Sequence, residues 1–116
     1  MELRNLKLRN FRNYEELNLD FDAGVNLIVG QNAQGKTNLL EAVAYLGSGR
    51  SFRAQKQNEL IRFGADFADI EGEVFSQERI QNLRWILFGS SRPRQIWRNG
   101  AKKKTTADIS GVMSTV

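Results

Sequence analysis

The sequence predicts a mixed α/β fold, α+β-like in arrangement, with a strand–loop–helix core joined to an antiparallel β arm. Three observations carry this. Residues 30–37 read Gly-Gln-Asn-Ala-Gln-Gly-Lys-Thr and lie between an apolar run and a helical pattern. Residues 68–74 and 83–87 alternate apolar and polar side chains, the period of strands buried on one face. Asn99-Gly100 separates two extended runs, and both residues tolerate the positive φ of a tight hairpin turn.

The elements follow in order. Leu6 and Leu8 alternate with Lys7 and Arg9, while Leu3 is out of phase and predicts a bulge or fraying at the start. Residues 10–14 are rich in turn formers, and Leu17, Leu19 and Phe21 alternate beyond them, so the two runs read as a hairpin-like pair. Asp22-Ala23-Gly24 makes the next turn. Residues 25–29 end in consecutive Leu27, Ile28 and Val29, as in a strand buried on both faces. Over residues 37–46, Leu39, Val43 and Leu46 fall at helical spacing with Leu40, Ala44 and Gly47 beside them, and Gly47 and Gly49 stop the helix. A short helix is predicted over 57–63, with Gly64 just past its end. In the second half, Ala68, Ile70, Gly72 and Val74 form one strand face, and Leu83, Trp85 and Leu87 another. Ile96-Trp97 precedes the Asn-Gly turn. A last helix is expected near 107–113, and residues 114–116 begin a further strand.

A length of 116 residues is one domain's worth of chain, so residues 1–116 read as a single unit. Apolar residues at 41% and charged residues at 26% are ordinary for a globular domain. Cysteine is absent, which excludes disulfides and thiolate chemistry. Histidine is absent too, which excludes a Ser/His/Asp triad and the commonest zinc ligand; any metal is held through oxygen. The net charge of +4 is unevenly spread: residues 66–78 hold five acids and no base, and residues 79–104 hold eight bases and no acid. That asymmetry fits either an anionic partner or a charged outer face beside its acidic complement. No targeting segment is apparent and no run approaches the roughly 18 apolar residues of a membrane span, so a cytoplasmic protein is expected.

Residues 30–37 match Gly-x-x-x-x-Gly-Lys-Thr, the P-loop pattern, in the strand-before, helix-after setting it requires. Gly30 lets the chain leave the strand sharply, and Gly35 lets the backbone wrap close to a phosphate. The N–H groups of Ala33, Gln34, Gly35, Lys36 and Thr37 can form an anion nest, reinforced by the helix N-terminus. Lys36 is placed to bridge the β- and γ-phosphates, a role of phosphate stabilisation, and the Thr37 hydroxyl is the expected ligand for Mg²⁺. Hydrolysis needs more. No apolar run ending in an acid follows, and Phe67-Ala68-Asp69 is too short and sits in an alternating strand. Glu41 and Glu59 read as helix-surface residues. The chain therefore reads as half of a nucleotide site, with no turnover expected of it alone.

Asn-Phe-Arg-Asn-Tyr at 10–14, the stretch 24–43 around the P-loop, and Gly-Ser-Gly-Arg-Ser-Phe-Arg at 47–53 together resemble the RecF family of bacterial DNA-repair proteins. That family belongs with the ABC-type ATPase heads of SMC proteins. The resemblance implies the N-terminal lobe of an ABC/SMC-type P-loop ATPase with ATP and Mg²⁺ as cofactors. It also implies an ATP-dependent homodimer that binds gapped DNA at single-strand/double-strand junctions and acts with RecO and RecR to load RecA. Carried over by residue, Arg12 approaches the phosphates from the turn after the first strand, and Asn13 and Tyr14 lie near base or ribose; a core-edge position fits Tyr14 equally. Gln31, Asn32, Gln34 and Asn38 join the loop contacts. Ala33 stands where glycine is usual, at a cost of about 1 kcal/mol if the position needs positive φ. The family's Q-loop, signature motif, Walker B, D-loop and switch element are not found, which implies the first subdomain of a longer protein.

Arg92, Arg94, Arg98 and Lys102, Lys103 and Lys104 flank the predicted Asn-Gly hairpin, where they can reach DNA phosphates on one face without reading sequence. Trp85 and Trp97 read as core. Two alternatives remain: another ABC/SMC-like head, or a basic nucleic-acid-binding module whose P-loop is non-catalytic. The antiparallel second half argues against a small P-loop kinase or GTPase.

Overall fold

Alternating Leu and Lys/Arg residues make the first strand, β1 (Glu2–Phe11), and a two-residue turn returns it as β2 (Tyr14–Asp20). Leu6 lies opposite Leu19 and Leu8 opposite Leu17, the expected hairpin. Against β3 the register of β1 shifts between Leu3 and Asn5, so the out-of-phase Leu3 marks a bulge. A computed structural model describes residues 2–21, 33–90 and 92–103 of the chain. Beyond the first hairpin come α1 (Ala33–Ser48), a 3₁₀ turn (Gln57–Leu60), β3 (Phe67–Ser76), β4 (Arg79–Phe88), β5 (Gln95–Arg98) and β6 (Ala101–Lys103). The strands form one sheet in the order β2-β1-β3-β4-β5-β6, and every neighbouring pair is antiparallel.

Strand alternation gives this sheet two different faces. Leu6, Leu8, Ile70, Val74, Leu83, Trp85, Leu87 and Ile96 share one face and are buried. Helix α1 lays Leu39, Ala42, Tyr45 and Leu46 onto it. Each such large apolar side chain contributes about 1.5–3 kcal/mol by leaving water. Gly72 marks the closest approach, because a Cβ there would fall 2.4 Å from Leu46 Cδ2. The other face carries Lys7, Arg9, Asp69, Glu71 and Arg84. There Arg84 grips the nearly buried Asp69, with Nη2 2.6 Å from Oδ2. This pairs the acidic stretch with part of its basic complement, and it commits Asp69 away from α1.

Several elements differ from the sequence expectation. Helix α1 starts at Ala33, ahead of the predicted residue 37, and its buried stripe takes in Tyr45 and leaves Leu40 64% exposed. The helix predicted over 57–63 is only the short 3₁₀ turn. Its following backbone is claimed by the first hairpin: Ile61 bridges to Phe11, and the Arg62 N–H donates to Asn10 O at 2.7 Å. Gly64, at φ 87, belongs to a separate turn closed by Ala65 N–H to Arg62 O. The β3–β4 hairpin turns through Gln77 and Glu78, both at positive φ without glycine. The Asn99-Gly100 turn is present as expected, at φ 52 and 82. The predicted turn at 22–24, strand at 25–29, helix at 107–113 and strand start at 114–116 lie outside the described residues.

Candidate functional site

The site grows from the first turn of α1. The first four N–H groups of a helix, counted from its N-cap, have no acceptor within it, so in a helix whose first helical residue is Ala33 the N–H groups of Ala33, Gln34 and Gly35 are presented outward. These are three of the five donors expected of the anion nest. Ala33 is helical, so the positive-φ cost does not arise there. The side chains of residues 33–36, Lys36 among them, and all of Gly30, Gln31 and Asn32 lie outside the described residues. Thr37 follows in the helix, half-buried.

A polar cluster surrounds the next turn. Asn38 is 2% exposed; its amide donates to Asn13 Oδ1, and its carbonyl oxygen accepts from Arg53 Nη2. One turn on, Glu41 is fully buried. Arg12 Nε and Nη2 meet its two oxygens at 2.8 and 2.9 Å, a bidentate fork, and Arg53 Nη2 adds a further hydrogen bond at 3.1 Å. The Ser51 hydroxyl donates to the same carboxylate. Glu41 is therefore not the helix-surface residue expected from the sequence. It looks inward because Asn38, Glu41, Ala42 and Tyr45 share one side of α1 at spacings of three and four. Glu59 is exposed as expected, and accepts the Gln55 and Lys56 backbone N–H groups at 2.8 and 2.7 Å.

Burial by itself raises the Glu41 carboxyl, but hydrogen bonds from Arg12, Ser51 and Arg53 outweigh it and hold the group below the ordinary carboxylate range. Arg12 is correspondingly raised, first by its hydrogen bond to Glu41. A carboxyl lowered in the folded state stabilises fully above its unfolded pKa of about 4.3, and that contribution is lost as pH falls through the lower folded value. Thermal stability is thus expected to hold from pH 7 to about 5 and to decline below about 4. Glu41→Gln should start lower and show a shallower acid decline. An unchanged acid profile in that variant, followed by circular dichroism melts, would remove Glu41 from the acid response.

Of the other residues expected at the site, Arg12 holds a left-handed backbone (φ 53), its N–H donates to Leu60 O, and its fork is engaged by Glu41. Asn13 is exposed and reaches Asn38. Tyr14 stands half-buried opposite Phe11, and burial pushes its hydroxyl pKa up. The basic residues do not share one face. Arg98 lies opposite Leu83, on the α1 side, whereas Lys102 lies opposite Trp97, which pairs with Arg84 on the outer side. Lys103 falls with Ile96 on the α1 side, and Lys104 lies outside the described residues. Arg92 is exposed over the Phe88 ring. Arg94 turns inward: Nη1 donates to Tyr45 OH at 2.7 Å and to Gly49 O at 2.6 Å, and its guanidinium lies 4.8 Å from the Trp85 ring centroid. Trp85 is fully buried core, and Trp97 is half-buried.

Sequence reasoning missed Glu41, Ser51 and Arg53 as a unit. The available signal was Glu41 at position i+3 from Asn38 on the buried side of the helix. Nothing local announced that residues 12 and 53 would meet it.

A family model described as AAA domain matches residues 5–111. Over 116 residues the chain is 40% identical to the DNA replication and repair protein RecF of Lactobacillus johnsonii, covering 100% of this chain and 30% of that one. It therefore spans less than a third of that relative's length. A solved structure of the recombination mediator protein RecF-ATP in the RecFOR pathway aligns with a TM-score of 0.82 at 40% identity, over 90% of this chain and 28% of that one. The SMC head domain from Thermotoga maritima aligns with a TM-score of 0.73 at 21% identity, over 94% and 41% of the two chains, and shares the fold.

Proposed function

The chain belongs to the AAA domain family, and on that premise we propose that it is the ATP-binding lobe of a RecF-type DNA-repair ATPase. The observation that carries this is the Gly-Gln-Asn-Ala-Gln-Gly-Lys-Thr motif running into the N-terminus of α1, in a chain 40% identical to a RecF solved with ATP. In this reading Gly30, Gln31, Asn32, Ala33, Gln34 and Gly35 wrap the phosphates, Lys36 supports the β- and γ-phosphates, and Arg12 approaches from the β1–β2 turn. Asn13 and Asn38 border the pocket. Thr37 is an oxygen donor on the second turn of α1, which suits Mg²⁺, an ion that needs few protein ligands and keeps several waters. Among the described residues no cluster of acids competes for it. When bound, the ion neutralises phosphate charge.

The test is a Mg-ATP titration of the intact protein and of Lys36→Ala. Lys36→Ala is expected to weaken binding at least about tenfold, the loss of one or more charge-assisted hydrogen bonds to phosphate. Equal binding by both would overturn the reading. The 116-residue chain alone is expected to show no appreciable turnover, and steady phosphate release that depends on Lys36 would contradict that.

The intact protein is proposed to act in the cytoplasm as an ATP-dependent homodimer at single-strand/double-strand junctions, with RecO and RecR. The β5–β6 hairpin supports a DNA contact because it carries Arg98, Lys102 and Lys103 on both faces at the sheet edge, with Arg92 exposed nearby. Arg94 is turned inward, with Nη1 engaged at the end of α1, so the proposed DNA surface rests on the other bases. Replacing Arg92, Lys102, Lys103 and Lys104 by glutamine should weaken binding to gapped DNA. It should also lower the slope of log affinity against log salt by roughly 0.7–0.9 for each phosphate that is no longer neutralised. An unchanged slope would return these residues to solvent.

A further inference from the structure

Two arginines from distant segments converge on one buried carboxylate beside the phosphate-binding end of α1. Among the described residues, Arg12 and Arg53 both lie within ion-pair distance of Glu41, and no second acid does. Glu59 adds a longer-range attraction to Arg12 and is exposed. The cluster thus carries one positive charge in excess. A guanidinium has five N–H donors, and Glu41 takes two from Arg12 and one from Arg53. Arg53 also reaches Asn38, the residue after Thr37. A lone carboxylate at this depth would be strongly unfavourable, and an apolar residue would pack at lower cost. What the carboxylate does that an apolar residue would not is fix two planar forks. Both come from turns, and Arg12 is held in left-handed backbone of the kind that collects at functional sites.

We propose that Glu41 is a positioning residue for the nucleotide: it pre-sets the Arg12 and Arg53 guanidiniums so that the excess positive charge of the cluster meets the phosphates, which supply the second anion. This rests on the nucleotide reading above. Forks already fixed in place lose little side-chain entropy when the anion arrives. Removing Glu41 frees two long cationic side chains to leave the site while the P-loop itself stays intact.

The test is calorimetric titration of the intact protein with Mg-ATP, using Glu41→Gln, Arg12→Gln and the double variant. Each single variant is expected to bind about 10–100-fold more weakly, the range of a lost charged hydrogen bond. The double variant is expected to bind no more weakly than the worse single one, because Glu41 acts through the arginine. A merely structural Glu41 would leave the two losses multiplicative, whatever the change in melting temperature, and that result overturns the proposal. Affinity within twofold of the parent in Glu41→Gln overturns it as well. Should Glu41→Gln not fold, Glu41→Asp keeps the charge and shortens its reach; the same non-multiplicative loss is expected, and parental affinity overturns the proposal. Lys36→Ala separates the two readings. Binding that depends on Lys36 but ignores Glu41 removes this inference alone, whereas binding indifferent to both removes the nucleotide reading and this one with it.

Discussion

Replacing Trp85 with alanine is expected to remove about 3–5 kcal/mol of stability, a large share of the roughly 5–15 kcal/mol that a domain of this size possesses. Trp85 is fully buried in the middle of β4, under the C-terminal end of α1. Its indole N–H donates to Leu46 O at 2.9 Å, one of the last carbonyls of α1, which have no partner within the helix. Tyr45 meets the ring edge-on at a centroid distance of 5.3 Å, and the Arg94 guanidinium covers it. Alanine would leave a cavity, an unsatisfied helix carbonyl and an arginine without its platform. Trp85→Phe keeps most of the packing and loses the N–H, so an intermediate loss of about 1–3 kcal/mol is expected. Urea unfolding followed by far-ultraviolet circular dichroism measures both. A Trp85→Ala loss under about 1 kcal/mol would show that the helix end is not anchored on this ring.

Gly49→Ala is expected to cost about 2–4 kcal/mol from a single added methyl group. Gly49 stands just past α1 at φ 74, with its N–H donating to Tyr45 O at 2.8 Å, so left-handed backbone ends the helix. A Cβ there would fall 2.5 Å from Trp85 Cη2, and two further ring atoms lie within 3.1 Å. The indole is held by its own hydrogen bond and cannot swing aside. Part of the cost, about 1 kcal/mol, is backbone strain and the rest is collision. The smaller ring of Trp85→Phe should relieve the collision, so the double variant should lose less than the sum of the singles. Losses that add within about 0.5 kcal/mol would show that the ring is not what the methyl strikes.

The strands were legible because their signal is local. Leu6 and Leu8, Ile70 and Val74, and Leu83, Trp85 and Leu87 each repeat in step with period two, and each set lands on the buried face. Asn99-Gly100 was legible because its residue types suit positive φ. The Gln77-Glu78 turn was not, since neither residue favours that backbone; there, ten paired positions between β3 and β4 dictate the turn. The P-loop pattern was readable from spacing alone. The Glu41 cluster was not, because its partners lie 29 and 12 residues away along the chain and meet only when β1, α1 and the following segment are packed. Arg94 was misplaced for a related reason: charge suggests solvent, but the carbonyl of Gly49 just past the helix end and the two rings of Tyr45 and Trp85 draw the guanidinium in.

Sheet order has a topological consequence for the stretch that carries the Gly-x-x-x-x-Gly-Lys-Thr motif. β1 sits between β2 and β3, so residue 6 lies opposite residue 72. Everything along the chain from the first hairpin to the start of β3, residues 30–37 included, belongs to the bight of a chain tied at its neck by the β1–β3 ladder. Closing a bight of some sixty residues costs on the order of 3–4 kcal/mol of chain entropy, which the ladder and the packing of α1 must offset. A ligand held by the bight favours the tied state and so tightens the knot, while any change that frays the neck slackens the ligand's cradle without touching it.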